Sequence, residues 1–187
     1  MTAYSSVSPR GPVRYSWETR WLHWLTAVLV VEQFTVGQVA WHLLARGTPS
    51  RTFLVATHTS LGVLLAAVFT TRIAWSMTGG RTIRFPVVTF QDRVARSVHR
   101  LLYLLLGGEI VFGYMARWST GRPVMAFGVP INSPFPVLLR GSHSFFSWLH
   151  HWNAWLLFVT ALFHAGAGLY HLFVCRDRVF QRMLSRG

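Results

Sequence analysis

The sequence predicts an all-α integral membrane protein: a bundle of four transmembrane helices in one domain, residues 1–187, with both termini cytoplasmic. Three observations predict it. The chain is 52% hydrophobic and only 12% charged, with nine Trp and a mean hydropathy of +0.37, a membrane profile and not that of a soluble domain. Four apolar stretches are each long enough for the roughly 20 helical residues that cross a hydrocarbon core. The arginines fall almost entirely between those stretches.

Span 1, about residues 17–44, carries WLHWLTAVLVVEQFTVGQVAWHLL. It is too long, and too polar at its start, for a cleaved signal peptide, and no small-residue cleavage site follows it. Span 2 covers about 53–77 and span 3 about 93–118, the latter with VHRLLYLLLGGEIVFGYMARW. Span 4, about 145–175, reads SFFSWLHHWNAWLLFVTALFHAGAGLYHLFV at its core. The outer loop, about 119–144, is rich in Pro and Gly, and its apolar stretches predict a cap folded onto the bundle. Trp17, Trp21, Trp24, Trp41, Trp75, Trp118, Trp148 and Trp152 fall near span ends, where interfacial aromatics belong.

Orientation follows from the arginines, which make up all 18 basic residues against five acids, a formal charge of +13. A cytoplasmic N-terminus places Arg10, Arg14, Arg20, Arg72, Arg81, Arg84, Arg93, Arg96, Arg100, Arg176, Arg178, Arg182 and Arg186 inside. Arg46, Arg51, Arg117, Arg122 and Arg140 lie outside, a clear positive-inside bias. Because the charge flanks apolar spans, lipid headgroups are the expected partner and nucleic acid is not. The single Cys175 excludes an intramolecular disulfide and a cysteine metal cluster.

Ionisable side chains inside spans are costly and usually functional, and span 4 carries His150, His151, His164 and His171. At 1.5 Å and 100° per residue, His164 lies about 21 Å deeper than His150 and within about 40° of it, whereas His151 is about 140° away from His164. His58 in span 2 shares the outer level with His150, and His23 in span 1 shares the inner level with His164. His171 returns to the same face about 10 Å nearer the cytoplasm. A closed zinc site wants four protein ligands, and each level offers two obvious ones. Haem iron needs only two axial ligands, so bis-histidine haem b at both levels is the reading. Gly62 and the run Ala165, Gly166, Ala167 and Gly168 would give a flat macrocycle room; the alternative is small-residue helix packing.

These residues carry a family resemblance. RYSWETRWLHW, ATHTSLGVLLAAVFTTRIAW, RVARSVHRLLYLLL, the loop motif GRPVMAFGVPI, LHHW with LFHAGAGLYHLF, and CRDRVFQRML together resemble the prokaryotic cytochrome b561 family. The chain is most similar to its small dihaem superoxide oxidase type, over about residues 14–184. The resemblance implies that His23 and His164 ligate an inner haem b and His58 and His150 an outer one. It implies oxidation of superoxide at the periplasmic face and electron transfer through both haems to ubiquinone, in a bacterial inner membrane, with no obligatory protein partner. His99 matches a family histidine that is not usually a ligand, and is the runner-up to His23. In two places the chain departs from the family pattern. His151 stands where relatives often have an acid, and Glu32 and Glu109 lie near mid-membrane, either hydrogen-bonded or on a proton route to quinone.

Outer Arg46, Arg51, Arg117, Arg122 and Arg140 are then candidates for steering superoxide, a small anion. His171, Arg20, Arg72, His99 and Arg100 are candidates for quinone or haem-propionate contacts, since guanidinium pairs bidentately with carboxylate. The alternative function is a dihaem quinone-reactive anchor subunit of a dehydrogenase or hydrogenase complex.

Overall fold

A computed structural model of the protein describes residues 15–78, 90–135, 141–176 and 180–184. Arg140, and of the flanking arginines Arg10, Arg14, Arg81, Arg84, Arg178 and Arg186, lie outside the described residues. Four long helices dominate: α1 Trp17–Gln38, α2 Pro49–Thr78, α3 Phe90–Trp118 and α4 His143–Tyr170. Helix α1 starts at Ser16, whose side chain accepts from the Thr19 N–H, with Glu18 favourably placed in the first turn. Pro49 opens α2, where a missing N–H costs nothing.

Helices α2, α3 and α4 are long and apolar enough to cross a membrane. The expected fourth span, α1, falls short of that hydropathy because Glu32, Gln33, Thr35 and Gln38 interrupt its second half. It nevertheless packs along α2 as the fourth member of the bundle. Both α1 and α4 end in a π-helical turn, at Val39–Leu43 and His171–Cys175. Such turns are frequent at functional sites, and the first of these brings the Trp41 ring to 5.4 Å from the ring of His58.

Alternate helices run in opposite directions, so one end of the bundle carries the start of α1 and the end of α4, and the other carries the segment that follows α3. That segment forms a two-stranded antiparallel hairpin, β1 Val124–Ala126 and β2 Val129–Ile131, with Ala126 opposite Val129. Its two-residue turn, Phe127–Gly128, has φ of 50° and 85°. Positive φ at both positions matches the twist of paired strands, and here a phenylalanine occupies the first of them. The Phe127 N–H donates to Ser60 Oγ of α2 at 2.9 Å, and Val124 and Ala126 are buried beneath the hairpin. The cap expected from sequence is thus fastened beside His58. Replacing Ser60 with alanine leaves the Phe127 N–H unsatisfied, at a cost of about 1–3 kcal/mol. The expected outcome is faster proteolysis within the hairpin and a lowered melting temperature.

Side-chain burial is sparse. The core is a layer of Leu29, Leu65, Val68, Leu105, Leu106 and Leu157 near the middle of the bundle. Large apolar side chains such as Leu104 (74% exposed) and Phe163 (76%) point outward. In water such a surface would be an aggregation hazard; against acyl chains it is the expected face.

Candidate functional site

On either side of the leucine layer the helices bring histidines together in pairs. Near the hairpin end, His58 of α2 and His150 of α4 have ring centroids 6.1 Å apart at an interplanar angle of 78°. Near the terminal end, His23 of α1 and His164 of α4 stand 6.2 Å apart at 81°. His99 of α3 lies 5.1 Å from His164. His151 turns instead toward His42 at the rim, 5.8 Å away. The rotation of α4 that puts His150 and His164 on one face thus carries His151 off it.

Two imidazoles coordinating one metal from opposite sides, with metal–nitrogen bonds of about 2.0–2.1 Å, have ring centroids about 6.3 Å apart. Both pairs have that separation within a few tenths of an ångström, and His99–His164 is too close for it. Ordinary edge-to-face aromatic contacts also span about 4.5–7 Å, so spacing alone decides little. Its recurrence at two depths carries the weight. Among the described residues no three His, Cys, Asp or Glu side chains are arranged to hold a metal ion by themselves; a metal taking two ligands from either pair would draw the others from a cofactor.

The hairpin-end pair opens onto a cavity of about 660 Å³ whose lining includes Gly37, Gly62, Glu109, Gly113, His58 and His150. A cavity of this size is ordinary for a small-molecule or cofactor site. Two glycines lie directly against the imidazoles: a Cβ at Gly37 would be 3.4 Å from His58 Cε1, and one at Gly113 only 3.1 Å from His150 Cε1. His58 Nδ1 is buried and makes no hydrogen bond of ordinary geometry, a costly state for a polar atom, and its ring is held by packing against Gly37 and Trp41. The Gln33 side chain donates to the His58 backbone carbonyl at 3.0 Å, tying α1 to α2 at this level.

His150 is held differently. Its Nδ1 is 2.9 Å from Glu109 Oε1 and 3.2 Å from the Glu109 carbonyl. The second carboxylate oxygen accepts from Asn153 Nδ2 at 2.8 Å, and that nitrogen also donates to the Leu105 carbonyl at 2.9 Å. Glu109 therefore braces α3 against α4 and does not meet Glu32, which has Gln33 Nε2 at 3.4 Å.

The structure separates the candidate arginines. Arg46 and Arg117 line the hairpin-end cavity, and Arg117 Nε donates to the Pro123 carbonyl at 3.0 Å. Arg51 is engaged with the Leu44 carbonyl at 3.3 Å and does not line the cavity. Arg122 is exposed beyond the cavity. At the terminal end, Arg72 Nη2 stands 3.3 Å from His23 Nδ1 and its guanidinium lies 5.1 Å over the Tyr103 ring. Arg20 Nη1 donates to the Leu184 carbonyl at 2.8 Å, beside a cavity of about 310 Å³ lined by Trp17, Arg20, Trp21, Trp24, Met183 and Leu184. Arg100 is exposed, and the His171 ring lies 6.3 Å from that of Tyr170. The clearance expected along Ala165–Gly168 is partly filled: a Cβ at Gly168 would meet Phe180 at 3.3 Å, while one at Gly166 would meet nothing.

Sequence reasoning missed Gly37, Gly113 and Asn153. A glycine on one helix facing a histidine on another leaves no local signal, although Gly113 follows Glu109 by one helical turn.

A helical membrane bundle with opposed histidine pairs at two depths belongs to the class of membrane metalloproteins. The model of a family described as prokaryotic cytochrome b561 matches residues 14–186. Cytochrome b561 homolog 2 of Escherichia coli (strain K12) is 29% identical over 185 residues, covering 94% of this chain and 93% of its own length. Cytochrome b561 homolog 1 of the same organism is 26% identical over 182 residues, covering 92% of this chain and 98% of its own. The chain belongs to the prokaryotic cytochrome b561 family, and is a membrane b-type cytochrome of electron transfer.

Proposed function

We propose that the protein is a superoxide:ubiquinone oxidoreductase of a bacterial inner membrane, with the hairpin end periplasmic and both termini cytoplasmic. The observation that carries this reading is the hairpin-end cavity, in which Arg46 and Arg117 stand at the same opening as His58 and His150. His58 with His150, and His23 with His164, would hold two b haems as axial ligands. Those groups, when bound, supply a one-electron relay between the two ends.

The chain's own residues set the rest. Arg46 and Arg117 raise the local concentration of a small anion at the cavity mouth. Arg122 adds to the same field from further out, and Arg51 adds charge while closing the Leu44 turn. Each superoxide gives up one electron and leaves as oxygen. Two such electrons, with two protons from the cytoplasmic side, reduce one ubiquinone to ubiquinol. The tryptophan-lined cavity at Arg20 is the quinone-side candidate: its walls are apolar and its cation faces a polar headgroup. Arg72, His99, Arg100 and His171 lie toward that end as contacts for quinone or for propionates.

The test is an absorption spectrum of the purified protein during a steady superoxide flux, with dithionite as the fully reduced reference. Reduced haem b bands that appear with superoxide and fade on adding ubiquinone support the reading. Reduction by dithionite alone moves the function to the anchor-subunit alternative. Arg117→Gln is expected to slow reduction by superoxide several-fold at low ionic strength and much less at high salt, since exposed-charge steering is screened.

A further inference from the structure

We propose that opposite charges at two histidine Nδ1 atoms set the two centres at different reduction potentials, low at the hairpin end and high at the terminal end. This rests on the reading that each histidine pair binds a haem.

At the hairpin end the charge is the Glu109 carboxylate, 2.9 Å from His150 Nδ1. A ligating histidine that donates its other ring N–H to a carboxylate becomes a stronger electron donor. That favours the oxidised metal and depresses the potential. The carboxylate is 14% exposed and clamped from behind by Asn153 Nδ2 at 2.8 Å, so its charge acts where the local dielectric is well below that of water. His58 has no counterpart: its Nδ1 is buried and makes no hydrogen bond of ordinary geometry. Arg46 and Arg117 act in the opposite sense from the same cavity. Arg46 is exposed, however, so solvent screens it, and Arg117 is half-buried and turned onto the Pro123 carbonyl, whereas Glu109 is in direct contact with the ring nitrogen.

At the terminal end the sign reverses. Arg72 Nη2 is 3.3 Å from His23 Nδ1, and the Tyr103 ring beneath the guanidinium holds it there. A His23 bound to metal through Nε2 keeps its proton on Nδ1 and cannot accept from Arg72, so the guanidinium acts there through its charge alone, which disfavours the oxidised metal and raises the potential. His164, the other member of this pair, faces the uncharged-or-cationic His99 at 5.1 Å, and among the described residues no ion pair joins it to a carboxylate. Electrons entering beside the hairpin therefore run downhill to the terminal end, whatever donates them.

The experiment is a mediated redox titration of the detergent-solubilised holoprotein, following haem absorbance. The wild type is expected to titrate in two waves, with the upper wave alone surviving in His58→Ala. Glu109→Gln keeps the side chain's shape and removes its charge. It is expected to raise the lower wave by about tenfold in the mediator ratio at half-reduction, about 59 mV for a one-electron couple, and to leave the upper wave in place. Arg72→Gln is expected to lower the upper wave alone. Asn153→Ala frees Glu109 without removing it and is expected to shift the lower wave in the same direction by less; it decides the matter if Glu109→Gln loses haem. A lower wave unmoved in both variants overturns the gradient, as does a Glu109→Gln shift confined to the upper wave. A wild type without a Soret band overturns the haem reading itself, and the gradient with it.

Discussion

Alanine at His58 is expected to halve the haem bound per chain. The ring lies buried against Gly37 and Trp41, 6.1 Å from its partner His150. The other histidines that line the cavity are engaged elsewhere, His42 with His151 at the rim and His143 with the Ala116 carbonyl at 2.9 Å. The His23–His164 pair lies on the far side of the leucine layer and shares no ligand with it. Half of the pyridine haemochrome signal should therefore survive in His58→Ala, and the other half in His164→Ala. His151→Ala should retain both. Full haem content in His58→Ala would refute the pairing, and loss of both groups would mean that the two centres fold as one unit.

Leucine at Gly113 is expected to have nearly the same effect without touching a ligand. A Cβ there would sit 3.1, 3.4 and 3.7 Å from the Cε1, Nδ1 and Nε2 atoms of His150, so the remaining atoms of leucine must displace the ring or the helix. Overpacking of this kind costs about 1–3 kcal/mol, which a bundle of four long helices can absorb while losing the alignment of His150 with His58. The expected variant inserts normally, keeps the terminal-end haem and lacks the hairpin-end one. Gly107→Ala is the control: its Cβ would meet only the edge of the Phe69 ring at 3.5 Å, an ordinary contact. Both signals should persist there.

Much of this arrangement is legible in the sequence, because a helix fixes depth and rotation together. The 14-residue interval from His150 to His164 suffices to place two histidines on one face at two levels. Matching His58 and His23 to those levels needs only the positions of the span ends. What escapes is everything that depends on how the helices are turned toward one another. Glu109 reads as an isolated mid-membrane acid until α3 and α4 are packed, when it becomes the partner of His150 and Asn153. Gly37 and Gly113 read as helix-weakening residues until each faces an imidazole. The hairpin escapes for a different reason: Phe-Gly lacks the Asn or Asp that usually marks such a turn, and its place depends on long-range bonds from the Phe127 N–H to Ser60 and from Trp118 Nε1 to the Ile131 carbonyl. The candidate arginines are told apart only by packing, with Arg46 and Arg117 lining the cavity and Arg51 spent on the Leu44 carbonyl.

The leucine layer has a consequence for bioenergetics. Leu29, Leu65, Val68, Leu105, Leu106 and Leu157, with Leu22, Leu25, Val30, Phe69, Leu102 and Ile110 packed around them, form an apolar layer between the two histidine levels, and the buried hydroxyl beside it, Thr26, is spent on the Leu22 carbonyl at 2.6 Å. Under the proposed function, an electron passing between the two histidine levels crosses that apolar layer. The transfer is then electrogenic. Carried across the full dielectric thickness, one elementary charge is worth about 2.3 kcal/mol per 100 mV of membrane voltage, and the fraction that these levels span becomes a coupling between the cytochrome's turnover and the energised state of the membrane.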